Sequence, residues 1–492
     1  MFDDTIAAIA TPLGEGGLAV IRVSGAKAFE IADQCFRPSR SKAGRPSAAH
    51  THTLHHGHVV RDGADVDEVL LALMRAPRTY TCEDTIEISC HGGLLPAKAV
   101  LDAMLAAGAR LALPGEFTRR AFMNGRLDLA QAEAVADLIR SRTELAMRAA
   151  GEQLAGKLSQ RINQLRDDLI KTLAHIEAHI DFPDEDISPD TRDRLVERLA
   201  GGKAFMDLLL RTANEGRLLR RGVRAAIIGR PNAGKSSLLN QLLGHDRAIV
   251  SHIPGTTRDT IEETANIRGV PVVFVDTAGL REAGDEIEIE GIRRSRQALE
   301  RAELILHVFD ASEPLTSEDE RFLQEFSGKK RILVRNKVDL PVKLGLPERA
   351  FNIQPSTPNA QGSGPAGALD AGSSMLKVGT PAGPEVQVSV VDISCTSGRG
   401  IEELKDAIKG LVWSGQVDAG MLEVMINSRH QDALDRARQA VERTVAAIRS
   451  DLSLELVALD LHIAVNAVGE IVGKTTTEDL LDSVFSQFCI GK

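Results

Sequence analysis

The sequence predicts a multidomain protein of the α/β plus all-α class, in which a discontinuous helical domain surrounds an inserted α/β domain. Three observations predict this organisation. A chain of 492 residues is too long for a single hydrophobic core. Apolar residues recur at helical spacing in two stretches, one before and one after the middle of the chain. Between these stretches, short apolar runs typical of buried strands alternate with helical segments.

The first segment alternates short β-like runs, such as Ile6 to Ala10 and Leu18 to Val23, with helical stretches. This pattern predicts a small N-terminal α/β domain. Neither of the two helical stretches is sufficient to form a domain alone, so we expect them to pack together into one helical domain. The expected boundaries are 1–120 for the N-terminal domain, 121–216 and 413–492 for the two helical parts, and 217–412 for the inserted domain.

A glycine-rich run, GRPNAGKSS, follows the apolar stretch Val223 to Ile228 and precedes leucines at helical spacing. In a phosphate-binding loop of this kind, successive backbone N–H groups converge on phosphate oxygens. Lys235 brings a positive charge to the β- and γ-phosphates, and the Ser236 hydroxyl can ligate Mg²⁺. The run therefore predicts nucleotide binding by Asn232, Ala233, Gly234, Lys235, Ser236 and Ser237.

Two later motifs complete a guanine-nucleotide site. The strand Val272 to Val275 leads into DTAG, where Asp276 can hold the Mg²⁺ shell and Gly279 can bring a backbone N–H near the γ-phosphate. After another apolar strand comes NKVD, whose Asp339 can accept hydrogen bonds from guanine; adenine would leave that acceptor unpaired. The remaining contacts are Thr277, Ala278, Asn336, Lys337, and Ser394 and Cys395 in a loop that closes over the base. We therefore predict a Ras-like P-loop GTPase domain that binds GTP and Mg²⁺.

The residue after DTAG is Leu280, where many GTPases have a glutamine that orients the attacking water. The acidic run that follows, which includes Glu288, offers a carboxylate instead, although a solvated acidic helix start explains the same pattern. A second loop supplies Thr257 as a natural Mg²⁺ ligand. Asn232 and the oxygens of that loop can also bind a monovalent cation beside the phosphates. The loop contacts are Ser251, His252, Ile253, Pro254, Gly255, Thr256 and Thr257.

Charge and composition limit the remaining function classes. A net charge of −10 argues against a globally basic nucleic-acid surface. A local basic patch exists at the entry to the GTPase domain, although a solvated linker face explains it as well. The patch consists of Arg211, Arg217, Arg220, Arg221 and Arg224. Five scattered cysteines without a CxxC pair, and no apolar run long enough for a membrane span, predict a cytoplasmic protein that does not enter membranes.

Two segments are expected to be loops. The histidine-rich stretch His50 to His58 has a spacing that fits no single zinc site, so we expect a loop without a metal. The stretch 355–384 is rich in Gly, Pro, Ala and Ser where the GTPase fold needs only a connection. We expect it to be a disordered surface insertion.

With these motifs placed, nearly the whole chain resembles the MnmE (TrmE) family of tRNA modification GTPases. The matching runs are DTIAAIATPLGEGGLAVIRVSG, YTCEDTIEISCHGG, PGEFTRRAFMNGRLDLAQAEAV, HIDFPDEDI and the terminal FCIGK. The resemblance implies a homodimer whose N-terminal domain binds 5-formyl- or 5,10-methylene-tetrahydrofolate. It also implies a heterotetramer with an FAD-dependent partner subunit of the MnmG (GidA) family. Together they would add an aminomethyl or carboxymethylaminomethyl group to C5 of the wobble uridine, position 34, of certain tRNAs.

The resemblance further implies residue roles. Glu288 would be the catalytic residue of GTP hydrolysis, and GTPase domains would pair across the dimer in the transition state. The implied potassium ligands are Asn232, Ser251, Ile253 and Thr256, and the implied folate contacts are Arg22, Glu83, Arg120 and Lys492. Cys489 is expected to line the folate site or to pack rather than to act as a nucleophile, because the sequence fixes no base beside it.

Two other functions remain open at this point. One is a ribosome-assembly GTPase switch without modification chemistry, although neither a GxxG nucleic-acid loop nor a second phosphate loop is visible. The other is a folate-binding transferase whose GTPase domain is vestigial. The intact nucleotide-binding residues argue against this second alternative.

Overall fold

The computed structural model describes residues 3–39, 44–181, 189–244, 263–275, 300–325, 328–346, 374–378, 386–413 and 422–492. Its N-terminal part is a seven-stranded sheet of order β3-β4-β5-β6-β2-β1-β7, antiparallel except for the β1–β7 pair. The strands are β1 Ile6–Ile9, β2 Leu18–Ser24, β3 Phe36–Pro38, β4 Thr53–Arg61, β5 Ala64–Met74, β6 Thr85–His91 and β7 Arg110–Leu111.

Two helices, α1 (Ala28–Cys35) and α2 (Leu94–Ala106), contribute to the core of this domain. Alternate strand residues point toward them, as the two-residue period of a sheet requires, so Ile21, Leu71 and Ile88 share one apolar cluster with both helices. The prediction of an N-terminal α/β domain is confirmed.

The histidine-rich stretch differs from the expected loop, because Thr53–Arg61 forms the strand β4 and includes three of its histidines. The strand pairs along its whole length with β5, and Gly57 lets it lie against Phe36, since a Cβ there would come within 2.5 Å of the phenyl ring. The strand was hidden from sequence reasoning because Leu54 is exposed and His55 and His56 are consecutive polar residues, so apolar and polar residues do not alternate cleanly.

The chain then becomes helical. The helices are α3 Glu116–Met123, α4 Leu129–Arg140, α5 Glu144–Leu154, α6 Lys157–Asp181, α7 Pro189–Arg211 and α8 Ala213–Arg221. Helix α4 begins at a capping box, in which Asp128 accepts a hydrogen bond from the Gln131 N–H and the Gln131 side chain accepts from the Asp128 N–H. Thr143 caps α5 in a similar way through one hydrogen bond.

The inserted domain is a second seven-stranded sheet, of order β13-β14-β12-β11-β8-β10-β9. Its five central strands run parallel, and the two edge strands are antiparallel. The strands are β8 Val223–Ile228, β9 Glu263–Ile267, β10 Val270–Phe274, β11 Leu304–Asp310, β12 Arg331–Asn336, β13 Ser374–Val378 and β14 Val386–Asp392. Its helices are α9 Lys235–Leu243, α10 Ser317–Glu325 and α11 Ile401–Val412. The parallel strands all end at one edge, where nucleotides bind in folds of this class.

The Gly/Pro-rich stretch 355–384 is not wholly the disordered insertion that we expected. Ser374–Val378 forms the edge strand β13, which pairs antiparallel with β14 in register Ser374 to Val390. The rest of the stretch lies outside the described residues. The strand contains Met375, Leu376 and Val378, but this short apolar run stands within a stretch whose overall composition is typical of a loop, so composition did not indicate the pairing.

Three further helices, α12 (Ser428–Arg449), α13 (Leu454–Val472) and α14 (Glu478–Phe485), complete the helical domain. One apolar cluster combines residues before and after the inserted domain, such as Leu165 and Leu169 with Leu461 and Val465. The prediction that the two helical parts pack into one discontinuous domain is therefore confirmed.

Candidate functional site

The phosphate loop lies between β8 and α9 and depends on two glycines. At Gly229, φ is 142°, and a Cβ would come within 2.1 Å of the Val308 carbonyl oxygen. At Gly234, φ is 97°, and a Cβ would come within 2.1 Å of Asn336 Nδ2. Lys235 Nζ donates to the carbonyl oxygens of Gly229 and Arg230, both at 2.8 Å. The loop is thus folded back over the start of α9, whose N-terminus favours an anion.

Asn336 joins this loop to the loop expected over the base. Its Nδ2 donates to the Ala233 carbonyl oxygen at 2.9 Å, and its Oδ1 accepts from the Cys395 N–H at 3.2 Å. The side chain of Gln241 in α9 donates to the Cys395 carbonyl oxygen at 2.9 Å. Asn336 is 2% exposed, so its amide is committed to holding the two loops together.

Beside it, Lys337 Nζ donates to Asp310 at 2.6 Å, at the end of β11. Burial raises the pKa of Asp310, but the hydrogen bonds from Lys337 and Ser312 outweigh it and hold that pKa below its usual value. The motif search missed Asp310, although an acid at the end of a parallel strand is the signal that would have found it. Asp339 is exposed, so its carboxylate is accessible to a ligand.

Cys395 stands where an alanine is usual, and burial, with a smaller effect of Asp339, raises the pKa of its thiol to about 11. The thiol is therefore neutral at physiological pH and packs against the core of the inserted domain. Its backbone N–H and carbonyl make the contacts described above, so cysteine replaces alanine without adding a charge.

Part of the expected site lies outside the described residues. The expected site residues that lie outside the described ranges are Ser251, His252, Ile253, Pro254, Gly255, Thr256, Thr257, Asp276, Thr277, Ala278, Gly279 and Glu288. The described strand β9 begins six residues after Thr257, and β10 ends two residues before Asp276. Asn232, Ser236 and Ser237 are exposed on the described loop, and Asn232 has the positive φ of 63°.

A second polar site lies in the N-terminal domain, where the last residues of the chain meet its sheet. Arg22 and Glu87 are cross-strand partners in β2 and β6, and their side chains pair at 2.7 Å. The ring of Tyr80 lies 5.5 Å from the Arg22 guanidinium and 4.8 Å from that of Arg126. Burial, followed by the charge of Arg22, lowers the pKa of Lys492. These effects place Lys492 beside Arg22 within one electrostatic environment.

Backbone contacts hold the terminal FCIGK run against the N-terminal domain. Gly491 has a φ of 96°, and a Cβ there would lie 2.4 Å from the Ile9 carbonyl oxygen. The Gly115 N–H donates to the Cys489 carbonyl oxygen at 3.4 Å. Phe488 packs with Leu129 of α4 in one apolar cluster. The Cys489 side chain is left exposed next to this site.

Two of the expected folate contacts, Arg120 and Glu83, bind each other and other residues of the N-terminal domain. The Arg120 side chain is 0% exposed and pairs with Asp4 at 2.7 Å, Glu116 at 3.0 Å and Glu83 at 3.2 Å. Glu83 also accepts a hydrogen bond from the Ser24 hydroxyl at 2.8 Å. A fully buried arginine surrounded by three carboxylates is satisfied by the protein, so this geometry favours a structural role for Arg120 and Glu83. Glu87 and Arg126 are the residues that sequence reasoning missed beside Arg22.

In the basic patch at the entry to the inserted domain, two of the arginines bind other side chains of the protein. Arg220 donates to Asp137 at 2.5 Å and to Gln153 at 2.9 Å, and Arg217 donates to Asn214 at 3.1 Å. Arg211, Arg221 and Arg224 are exposed. The contacts of Arg220 hold α8 against α4 and α5, which favours a structural junction over an RNA-binding surface.

The fold and site define a multidomain P-loop GTPase with an N-terminal α/β domain and a divided helical domain. The family model described as the MnmE helical domain matches residues 129–489, and the one described as the GTP-binding protein TrmE N-terminus matches residues 5–126. Together these matches span both sides of the inserted domain. The chain belongs to the MnmE family of tRNA modification GTPases, and it is a GTP-hydrolysing enzyme.

Full-length relatives agree with this assignment. The tRNA modification GTPase MnmE of Geobacillus kaustophilus (strain HTA426) is 45% identical, with 99% of each chain covered. That of Bacillus subtilis (strain 168) is 43% identical and covers 99% of this chain and 100% of the relative. A solved G domain, that of the T. maritima FeoB iron transporter, is 22% identical and covers 38% of this chain and 98% of that chain, with a TM-score of 0.25. In the described part of the chain, no helix has the length and apolarity to cross a membrane.

Proposed function

We propose that this chain is a cytoplasmic, potassium-dependent GTPase that modifies the wobble uridine of tRNA with a tetrahydrofolate one-carbon donor and an FAD-dependent partner subunit. The observation that carries the proposal is the position of the chain's own C-terminus. Lys492 lies in the electrostatic environment of Arg22 and Glu87 in the N-terminal domain, at a distance in sequence from the phosphate loop. The same chain thus offers a nucleotide site and a separate polar site.

The phosphate loop fits GTP and Mg²⁺. The N-terminus of α9, the Lys235 ammonium and the exposed Ser236 lie together at the start of that helix. Mg²⁺ neutralises the charge that develops on the phosphates when it is bound. Ser236, Thr257 and Asp276 would hold it, and Asp339 would read the guanine edge.

Hydrolysis needs a water-orienting group and a positive charge, because Leu280 supplies neither. We assign the first role to Glu288 and the second to a potassium ion held by Asn232, Ser251, Ile253 and Thr256. The exposed position and positive φ of Asn232 support this assignment.

The second site fits a folate. Arg22 and Lys492 offer two cations to glutamyl carboxylates, and Glu87 offers a carboxylate to the pterin edge. The lowered pKa of Lys492 follows from its burial and from Arg22, and an anionic ligand would relieve that unfavourable pairing of cations. We retain Arg22 and Lys492 as folate contacts and add Glu87 and Arg126, whereas Arg120 and Glu83 would support the site from inside.

A homodimer is supported by the exposed apolar surface of the N-terminal domain. Leu13, Leu18, Leu94 and Leu95 are between 46% and 76% exposed, around the loop that joins β1 to β2 and the start of α2. Exposed leucines grouped in this way are typical of protein–protein interfaces. Dimerisation there would bring two GTPase domains into one molecule, as the proposed transition-state pairing requires.

The test of the hydrolysis proposal is GTP turnover in potassium and in sodium. We expect turnover in potassium to exceed turnover in sodium by at least about 10-fold, the scale of one lost electrostatic contact. The Glu288→Ala variant should lose about 100-fold or more in potassium while GTP affinity stays near that of the wild type. Equal turnover in the two salts would exclude the potassium ion, and full activity of Glu288→Ala would exclude the carboxylate.

A further inference from the structure

A cavity of about 540 Å³ is lined in part by Tyr80. It opens between the loop that follows β5 and the loop that follows α3. Met74 and Pro77 form apolar parts of its wall, and Thr79 and Asn124 form polar parts. The volume is within the roughly 300–1,000 Å³ range of small-ligand sites.

The charge of this cavity is opposite to that of the protein. Arg78 and Arg126 line it, and the described residues around it include no carboxylate, although the chain has a net charge of −10. The acids of the same loop are turned inward: Glu83 pairs with Arg120, and Asp84 accepts a hydrogen bond from the Ala76 N–H at 2.9 Å. The cavity therefore has a positive potential that favours an anion.

The two arginines differ in how they are held. Arg126 donates to the Tyr80 carbonyl oxygen at 2.9 Å and stacks on the Tyr80 ring, which fixes its guanidinium plane. Arg78 is exposed, and its guanidinium makes no hydrogen bond or ion pair with any residue in the described part of the chain. One arginine is thus pre-positioned and the other is available for a ligand.

Asn124 adds a specific polar contact. Its Nδ2 donates to the Thr81 carbonyl oxygen at 2.7 Å, which fixes the amide. Its carbonyl oxygen has no protein donor among the described residues and is a hydrogen-bond acceptor. Uracil carries an N3–H donor on the edge where cytosine carries an acceptor, so an acceptor here distinguishes the two bases.

We propose that this cavity binds one uridine nucleotide of RNA, with its phosphate on Arg78 and its N3–H on the Asn124 carbonyl oxygen. Unstacked RNA bases bind in this way, against guanidinium planes and through their Watson–Crick edges. The inference rests on the proposed tRNA modification and names the part of the protein that takes the target nucleotide. Tyr80 and Arg126 line this cavity, and Arg126 is also a proposed folate contact, so base and one-carbon donor would lie close together.

The test is the binding of a tRNA anticodon stem–loop with a wobble uridine to the full-length protein, measured by fluorescence anisotropy at several salt concentrations. Arg78→Ala should weaken binding by about 5- to 10-fold and reduce the slope of log K against log salt by about one. Arg78→Lys should restore the slope, because it keeps the charge. The matched control is Arg148→Ala, which removes another exposed arginine, on α5, and should change neither quantity.

A second binding experiment uses an anticodon stem–loop in which cytidine replaces the wobble uridine. The wild type should bind the cytidine stem–loop about 10-fold more weakly, and Asn124→Ala should bind both equally, because the acceptor is gone. GTP turnover and 5-formyl-tetrahydrofolate affinity should be unchanged in Arg78→Ala.

Unchanged RNA binding by Arg78→Ala would overturn the proposal. So would a loss of folate affinity with intact RNA binding, which would place the glutamyl carboxylates of folate in the cavity. Loss of wobble modification in cells lacking the whole protein tests the proposed function separately.

Discussion

Asn336 shows how one buried amide organises the nucleotide site. It holds the phosphate loop at Ala233 and the base loop at Cys395, so these loops share one support although 103 and 59 residues separate them from Asn336. Sequence reasoning placed Asn336 in the site through the NKVD motif. The contacts explain why an amide is needed, since a donor and an acceptor must be presented by the same side chain.

We expect Asn336→Ala to weaken GDP and GTP binding by about 10- to 100-fold, because it leaves a buried carbonyl and a buried N–H without partners, at about 1–3 kcal/mol. The measurement is titration with a fluorescent guanine nucleotide. Asn240→Ala, on the exposed face of α9, is the control and should bind as the wild type does. Wild-type affinity in Asn336→Ala would show that the loops are held by other contacts.

His307 makes the stability of the inserted domain depend on pH. It is 1% exposed in β11 and stacks on Phe309 at 4.0 Å between ring centroids. Burial, only partly offset by the charge of Asp319, lowers the pKa of His307 to about 3. The folded state therefore keeps the ring neutral, while the unfolded chain protonates it below its ordinary pKa of about 6.5. Stability is complete above that pH and is lost as the pH falls toward the folded pKa.

From pH 7.5 to pH 5.5, this one group should lower the free energy of unfolding by about 1 kcal/mol. His307→Phe should remove that part of the pH dependence, because it replaces the ring with one that does not titrate. Thermal unfolding of the two proteins at both pH values measures the difference, and exposed His462 provides a control as His462→Phe. An identical pH dependence of wild type and His307→Phe would refute the buried neutral ring.

At the scale of secondary-structure elements, α4 connects three parts of the molecule. Its Glu133 pairs with Arg429 of α12 at 2.8 Å, and Asp137 pairs with Arg220 of α8, which leads into β8. At its C-terminal end, Arg140 donates to the Gln487 carbonyl oxygen of the terminal run. One helix thus contacts the second helical part, the entry to the GTPase domain and the segment that carries Lys492. These contacts connect the segments that carry the two proposed sites.

Glu133→Ala should lower the free energy of unfolding of the helical domain by about 2–4 kcal/mol, since it leaves the largely buried Arg429 without its carboxylate. Burial opposes ionisation of Glu133, but the charges of His430 and Arg429 lower its pKa, so the carboxylate is charged at neutral pH. Denaturant unfolding followed by circular dichroism measures the loss. Glu197→Ala, on the exposed side of α7, is the control. A change of less than 0.5 kcal/mol, roughly the effect of an ordinary surface substitution, would contradict the structural role.

For the molecule as a whole, sequence signals predicted the domain organisation, including the packing of the two helical parts, whereas the individual ion pairs between distant residues were not predictable. Glycines and polar residues at fixed spacing identified the phosphate loop and the base-reading motif, because phosphate and guanine binding require those residue types. The strand β13 and the histidine-rich strand β4 were missed although each pairs with the next strand along the chain, because the composition around them is typical of loops. The roles of Arg120 and Glu83 were equally inaccessible, because the sequence gives a charge but not the carboxylates that surround it.

In the proposed function, the GTPase domain and a C-terminal lysine on the N-terminal sheet serve one reaction on tRNA. Lys492 is the residue that joins these parts, since it ends the helical domain and completes the proposed folate site. Its substitution should leave the nucleotide site intact, because no described contact connects it to the phosphate loop.

The most direct measurement is mass spectrometry of tRNA nucleosides from cells whose only copy of the chain is Lys492→Ala, with Lys235→Ala in parallel. We predict that the wobble C5 substituent is lost in both strains, by about 10-fold or more, while purified Lys492→Ala hydrolyses GTP at the wild-type rate. A full complement of the substituent in both strains would contradict the account, and ribosome defects in those strains would favour an assembly switch.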